Sequence, residues 1–131
     1  MSGSRQILVD TQIFLWAITD DRRLSRTHRE IYLDEKSDLY LGLGSVWEIL
    51  IKSGIGKLPI PTPAVDYVVS QMRKNRVNAL PVRMHHLKEL EALPPVHKDP
   101  FDRLLVAQAR SENMPILSAD PLLKQYGVPM L

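Results

Sequence analysis

The sequence predicts an α/β fold, a three-layer α/β/α sandwich built on a central, mainly parallel sheet of four or five strands. Short apolar runs alternate along the chain with segments of helical periodicity, as in parallel sheets with crossover helices. The apolar runs are uninterrupted, which is typical of strands buried on both faces. Residues 1–131 contain no repeat or linker and should form one domain, with 1–5 as a flexible N-terminus.

The individual elements follow from periodicity and capping residues. Five apolar runs predict strands, at 7–9, 39–41, 79–80, 116–117 and, weakly, 129–131. Helical spacing predicts helices at about 13–19, 25–35, 45–51, 62–72, 85–93, 99–110 and 121–125. Ser25, Ser45 and Asp99 are suited to cap three of these helices. The helix that begins at Asp99-Pro100 is the best defined, because proline is favoured in a first turn.

Composition and charge exclude several classes of protein. The chain has no cysteine, so it can form neither a disulfide nor a thiolate metal site. No apolar run approaches the roughly 20 residues that cross a bilayer, and the first residues lack a secretory core. We therefore expect a cytoplasmic protein with no membrane partner. The net charge of +2 selects no class of ligand by itself.

Acidic residues follow the predicted strands at the edge where parallel sheets bind ligands. Asp10 comes directly after the first strand and Asp120 follows the fourth. Glu48 lies in the predicted first turn of the helix after the second strand. The helix before the fourth strand begins with Asp99 and Asp102, and its N-terminus should face the same edge. The sequence therefore predicts that these acids converge on one site.

Each acid also has a purely structural explanation. Asp99 and Asp120 precede prolines and are good helix caps, and Asp102 lies where the helix dipole favours an acid. Asp10 and Glu48 are harder to explain in this way, since each adjoins apolar residues. Any one of the acids could be structural. It is the convergence of four at one edge that favours a functional site.

The chemistry of such a site points to a hard divalent cation. Clustered carboxylates repel one another unless a cation lies among them, and oxygen ligands suit Mg²⁺ or Mn²⁺. The four histidines show no zinc-binding spacing, and the chain has neither a phosphate-binding glycine loop nor a G-x-S-x-G elbow. Metal-activated water attacking phosphorus is the reaction that fits. Lys52, Arg22 and Arg26 are candidates to bind a polyanionic substrate, and Arg23 and Arg29 join the two arginines as candidates for a phosphate-binding face.

Four segments together resemble one known family. They are 7-ILVDTQIFLW-16, 45-SVWEILIKSGIGKLPIP-61, 98-KDPFDRLLVAQA-109 and 116-ILSADPLLKQYGV-128. In this order they resemble the PIN-domain ribonucleases, and more narrowly the VapC-like toxins of type II toxin–antitoxin modules. The resemblance implies an Mg²⁺- or Mn²⁺-dependent endoribonuclease. It also implies a homodimer, alone or in a larger complex, that is inhibited by a VapB-like antitoxin.

The resemblance also implies residue roles. The four acids that bind metal and catalyse cleavage fall on Asp10, Glu48, Asp102 and Asp120, with Asp99 as an accessory metal ligand. Thr11 and Ser118 match small hydroxyl residues that line such sites. The chain departs from many relatives by having Gln12 where they have histidine. Gln12 cannot titrate near neutral pH, so a proton-transfer role at that position is in doubt.

Three other functions stay open at this point. A PIN nuclease of RNA processing, outside any toxin–antitoxin module, would have the same acids. A catalytically silent PIN-like binding module is less compatible with a complete set of acids. A signalling receiver would place a phosphorylated aspartate after its third strand, and no aspartate follows 79-AL-80.

Overall fold

The computed structural model describes residues 4–131 of the chain. Residues 1–3, part of the segment predicted to be flexible, lie outside the described residues, whereas Arg5 begins the first strand. The strands are β1 Arg5–Val9, β2 Ser37–Gly42, β3 Val77–Leu80 and β4 Ile116–Leu117. The helices are α1 Thr11–Ile18, α2 Arg26–Leu33, α3 Leu43–Gly54, α4 Ala64–Lys74, α5 Met84–Ala92, α6 Pro100–Glu112 and the 3₁₀ helix Pro121–Tyr126.

The four strands of the described chain form one sheet in the order β3-β2-β1-β4, with every pair parallel. Leu8 of β1 lies opposite Tyr40 of β2 and Ile116 of β4. From β1 the next two strands, β2 and β3, are added on one side, and β4 then lies on the other side of β1. The strand order therefore reverses beside β1, and such a reversal opens a crevice at the carboxyl ends of the strands.

Successive side chains along the strands point to opposite faces of the sheet and pack into two hydrophobic cores, one on each face. Ile7 and Val9 pack with residues of α1 to α4. Leu8, between them, packs with residues of α5, α6 and the 3₁₀ helix. This arrangement confirms the predicted three-layer α/β architecture with a parallel sheet. It explains the uninterrupted apolar runs of β1 and β4, because consecutive residues of these strands are buried on both faces of the sheet.

Most predicted caps are confirmed. The Ser25 hydroxyl accepts a hydrogen bond from the His28 amide (3.1 Å), and Asp99 and Asp120 accept amide hydrogen bonds at the starts of α6 and the 3₁₀ helix. Two expectations are wrong. Ser45 lies inside α3, which begins at Leu43 after Gly42, so Glu48 falls in the second turn. The weak fifth strand is reduced to a single bridge between Ile116 and Met130.

No helix among the described residues has the length and apolar character needed to cross a membrane.

Candidate metal centre and active site

Asp10 and Asp120 lie side by side at the strand reversal, linked by Ser118. The Ser118 hydroxyl donates to Asp10 Oδ2 (2.5 Å) and accepts a hydrogen bond from the Asp120 amide (3.0 Å). The Asp10 carboxylate also accepts from the Gln12 amide (3.3 Å) at the start of α1. Since Ser118 is buried, these bonds fix the Asp10 carboxylate relative to the loop that carries Asp120.

Glu48 reaches the same edge from α3. Its Oε2 accepts a hydrogen bond from Lys52 Nζ at 2.8 Å, one helical turn further along. The Glu48 side chain is 12% exposed, so the carboxylate is held in a confined position. The hydrogen bond to Glu48 raises the pKa of Lys52, and the negative charges of Asp99 and Asp102 raise it further. Lys52 is thus a cation of the acidic cluster itself.

Asp99 and Asp102 come from the N-terminus of α6. The Asp99 Oδ1 atom caps the helix by accepting hydrogen bonds from the amides of Phe101 (2.8 Å) and Asp102 (3.2 Å). Asp102 lies in the first turn of this helix, and its side chain lines the same cavity as Asp99. Asp99 can therefore cap α6 and also belong to the acidic site.

One cavity of about 230 Å³ brings the predicted site residues together. It is lined by all five acids and by three neighbours, namely Asp10, Thr11, Gln12, Glu48, Lys52, Asp99, Asp102 and Asp120. Ser118 lies beneath, bonded to Asp10. The structure thus assembles in one place acids that are separated by as many as 110 positions in the sequence. Arg22 and Arg26 do not line this cavity.

Burial and neighbouring negative charge raise the pKa of two acids of the cluster, Asp102 and Asp10. Burial raises the pKa of Asp102 to about 6, with further contributions from the negative charges of Asp99, Asp10 and Glu48. Burial also raises the pKa of Asp10, and the charges of Glu48 and Asp120 add to it. Concentrated negative charge of this kind is relieved by a cation. The donor set, five carboxylates with one lysine, fits a hard divalent metal ion.

His97 is a neighbour of the acids that sequence reasoning missed. Its imidazole lies between two of them, with Nδ1 3.9 Å from Asp102 Oδ2 and Nε2 3.4 Å from Asp120 Oδ2. The spacing between the four histidines excludes a zinc motif, but it says nothing about acids that the fold brings close to one of them. The signal in the sequence was the position of His97 two residues before the Asp99 cap.

A second cavity, of about 330 Å³, adjoins the acidic one and shares Asp120 with it. Ser118, which hydrogen-bonds Asp10, also lines this second cavity. Its lining includes three basic side chains, Arg23, His28 and Lys124. Arg23 is paired with Asp21 (2.8 Å). Arg22 and Arg26, which the sequence suggested as substrate-binding residues, do not line this cavity either. A basic surface therefore continues from the acidic cluster past Asp120.

The sequence model of the PIN domain matches residues 7–129, nearly the whole chain. The chain belongs to the PIN domain family. A curated relative, Ribonuclease VapC16 of Mycobacterium tuberculosis, is 38% identical over 58 residues. That match covers 44% of this chain and 41% of the relative, so it spans about two fifths of the relative's length.

Solved structures of toxin–antitoxin proteins share the fold. The DNA-bound VapBC of Salmonella typhimurium superposes with a TM-score of 0.72 at 12% identity, covering 97% of both chains. VapBC2 of Rickettsia felis, bound to a promoter DNA fragment, gives 0.69 at 12% identity, covering 96% of this chain and 97% of the other. FitAcB of Neisseria gonorrhoeae gives 0.62 at 16% identity, covering 95% and 96%. At such identities the likeness establishes the PIN-like α/β fold of VapC proteins.

Proposed function

We propose that this PIN-domain protein is an endoribonuclease that hydrolyses RNA phosphodiester bonds with the help of Mg²⁺ or Mn²⁺. The observation that carries the proposal is the cavity in which Asp10, Glu48, Asp99, Asp102 and Asp120 converge. A purely structural set of caps has no reason to share one cavity. The local sequence similarity to a named VapC ribonuclease gives the same reaction class.

The carboxylates of Asp10, Glu48, Asp102 and Asp120 would hold the cation, with Asp99 beside them. A bound divalent cation would supply Lewis acidity, which favours loss of a proton from water and neutralises charge that develops on the phosphate. In the hydrolysis, a water oxygen bonds to phosphorus as the bond from phosphorus to the leaving ribose oxygen breaks. The water gives up a proton, and the leaving oxygen gains one from solvent.

The chain's own residues contribute orientation and charge. Ser118 and the Gln12 amide keep the Asp10 carboxylate in one orientation, so little reorganisation is needed when substrate binds. Lys52 offsets the charge of Glu48 at 2.8 Å and stands where it can contact an entering phosphate. Thr11 is buried in the cavity wall, where its hydroxyl can hydrogen-bond a carboxylate or water.

The basic cavity beyond Asp120 gives the RNA backbone a path away from the acids. Lys124 and His28 line it, and Lys124 forms no ion pair among residues 4–131. A phosphate that flanks the scissile one would be attracted there, since phosphate contacts supply most of the sequence-independent affinity for nucleic acid. Among the arginines that the sequence suggested for a phosphate-binding face, Arg23 lines this cavity, and Lys124 would share its role.

We further propose that the protein is the toxin of a toxin–antitoxin pair, acting on RNA in the cytoplasm as a homodimer and inhibited by a VapB-like antitoxin. The fold is shared with the VapBC and FitAcB structures. A protein partner also has a suitable surface. Exposed apolar side chains follow one another at four-residue spacing along α3 and at its C-cap, namely Leu43, Trp47, Ile51 and Ile55.

The proposal is tested by incubating the purified protein with a mixed RNA pool in Mg²⁺, Mn²⁺ or EDTA and sequencing the cut ends. Cleavage in either metal and none in EDTA supports the nuclease. Induction in cells, with and without a small protein encoded beside the gene, tests the toxin. Growth arrest that the neighbour relieves supports it, whereas cleavage without arrest would favour a nuclease of RNA processing. Absence of cleavage and of metal binding would indicate a silent PIN module.

A further inference from the structure

His97 has a buried ring nitrogen with no partner at the edge of the acidic cluster. Its side chain is 12% exposed. Nε2 makes no hydrogen bond within the described residues, although it lies 3.4 Å from Asp120 Oδ2. A buried polar atom without a partner destabilises the folded state. Some ligand of this nitrogen is therefore expected in the working protein.

The ring is held in place by contacts outside the cluster. The backbone amide of His97 donates to the buried Tyr126 hydroxyl (2.7 Å). The imidazole also stacks on the Tyr126 ring, with centroids 6.3 Å apart and planes 10° apart. Tyr126 belongs to the 3₁₀ helix that Asp120 caps. One short helix thus fixes both His97 and the carboxylate that its Nε2 faces.

One ligand atom from each of His97, Asp102 and Asp120 can be chosen so that all three lie within 4.8 Å of one another. Metal–ligand bonds of roughly 2.0–2.2 Å place neighbouring ligands of an octahedral centre about 3 Å apart. The 3.4 Å separation of His97 Nε2 and Asp120 Oδ2 is close to that spacing. Nδ1 lies 3.9 Å from Asp102 Oδ2, beyond hydrogen-bond distance, so the contacts with Tyr126 orient the ring.

We propose that His97 Nε2 is a direct ligand of the divalent metal, so that the centre combines nitrogen and oxygen donors. The inference rests on the proposed metal-dependent function and goes beyond the carboxylate set that the sequence predicts. An imidazole ligand favours transition metals over Mg²⁺. The centre therefore selects Mn²⁺ over Mg²⁺ more strongly than carboxylates alone would, and replacing His97 reduces this selectivity.

The histidine pair of α5 serves as the matched comparison. His85 and His86 both lie within 3 Å of Glu112 Oε2. His86 Nδ1, however, accepts a hydrogen bond from the Arg83 amide (3.0 Å). Nε2 of the neutral ring must then carry the proton that it shares with Glu112, which leaves no lone pair for a metal. His97 has no such constraint, because neither of its ring nitrogens accepts a hydrogen bond within the described residues.

The test is electron spin-echo spectroscopy of the intact protein loaded with one equivalent of Mn²⁺. We expect modulation from directly bound ¹⁴N in the wild type, which changes to the ¹⁵N pattern when histidine alone is ¹⁵N-labelled. It should vanish in His97→Gln and persist in His85→Gln. Calorimetry should show about a tenfold or greater loss of Mn²⁺ affinity in His97→Gln, and a smaller loss for Mg²⁺.

The outcomes separate this inference from the function on which it rests. Stoichiometric Mn²⁺ binding without histidine modulation in the wild type would overturn the ligand assignment and leave the proposed carboxylate centre intact. Modulation that persists in folded His97→Gln would overturn it as well. No Mn²⁺ binding at all would overturn both proposals. Absence of histidine modulation from the labelled wild type overturns the assignment even where His97→Gln does not fold.

Discussion

The Ser118 hydroxyl, at the end of β4, donates a hydrogen bond to the Asp10 carboxylate at the end of the neighbouring β1. The same hydroxyl accepts from the Asp120 amide. Two acids separated by most of the chain are thereby joined through one buried oxygen. This link is the element of the site that mutation can test most simply.

Ser118→Ala should reduce RNA cleavage by about tenfold, the value of a charge-assisted hydrogen bond of roughly 1.5 kcal/mol. Because the Ser118 bond lowers the pKa of Asp10, its loss should raise that pKa. The acidic limb of the pH–rate profile should then move to higher pH. Ser37→Ala removes a hydroxyl that bonds the Ile31 carbonyl far from the site, and should leave the profile unchanged. An unaltered profile in Ser118→Ala would contradict the proposed link.

Asp102→Asn should stabilise the metal-free protein at neutral pH. The folded-state pKa of Asp102 is raised to about 6, above its unfolded value, so the native state favours the protonated acid. Stability from this group is full below the unfolded pKa and is lost as pH rises through about 6. Removing the charge should therefore add about 1–3 kcal/mol at pH 7.5 and little at pH 3.

Thermal unfolding in EDTA measures this effect, which should appear as a rise of several degrees in Tm at pH 7.5. Addition of Mn²⁺ should reverse the order, because wild type binds the cation more tightly than Asp102→Asn does. Equal Tm values in EDTA at pH 7.5 would show that the carboxylates do not repel one another as described.

Loss of a basic side chain from the cavity past Asp120 should weaken RNA binding without slowing the chemical step. Lys124→Ala should raise the KM for RNA several-fold, leave kcat nearly unchanged and reduce the salt dependence of binding by about one phosphate contact. Lys36→Ala removes a lysine just before β2, at the opposite edge of the sheet, and serves as the control. Steady-state cleavage at several salt concentrations distinguishes the two. A fall in kcat at unchanged KM would place Lys124 outside the substrate path.

Breaking the contact between α5 and α6 should lower the stability of the fold and leave RNA cleavage unchanged. Glu112 accepts hydrogen bonds from His85 (2.9 Å) and from the fully buried His86 (2.7 Å). These bonds lower its pKa, so their stabilisation is present above the unfolded pKa and is lost as pH falls through the folded one. Glu112→Ala leaves the His86 N–H without its partner and should cost about 1 kcal/mol or more at pH 7. Urea titration measures the cost, with exposed Glu91→Ala as control. Unchanged stability would contradict the role assigned to this pair.

Sequence reasoning located the fold and the acids because both depend on local patterns. Uninterrupted apolar strands identify a parallel sheet, and Asp10 and Asp120 directly follow two of them. The start of α3 was misplaced because Gly42 caps it without a side-chain hydrogen bond, so Ser45 was the only visible signal. His97 was missed because its role arises from contacts with the 3₁₀ helix, which no sequence spacing reveals. Arg23 was named together with the neighbouring arginines, but no sequence pattern shows that it lines the cavity past Asp120 whereas Arg22 and Arg26 do not.

The most direct test of the central claim is the rate of RNA cleavage by wild type and Asp10→Asn across a Mn²⁺ titration that begins in EDTA. If the carboxylates hold the catalytic metal, we expect no cleavage in EDTA, a rate that saturates with Mn²⁺ in the wild type, and at least a hundredfold slower cleavage by the folded variant. Cleavage in EDTA, or a variant as fast as wild type, would contradict it.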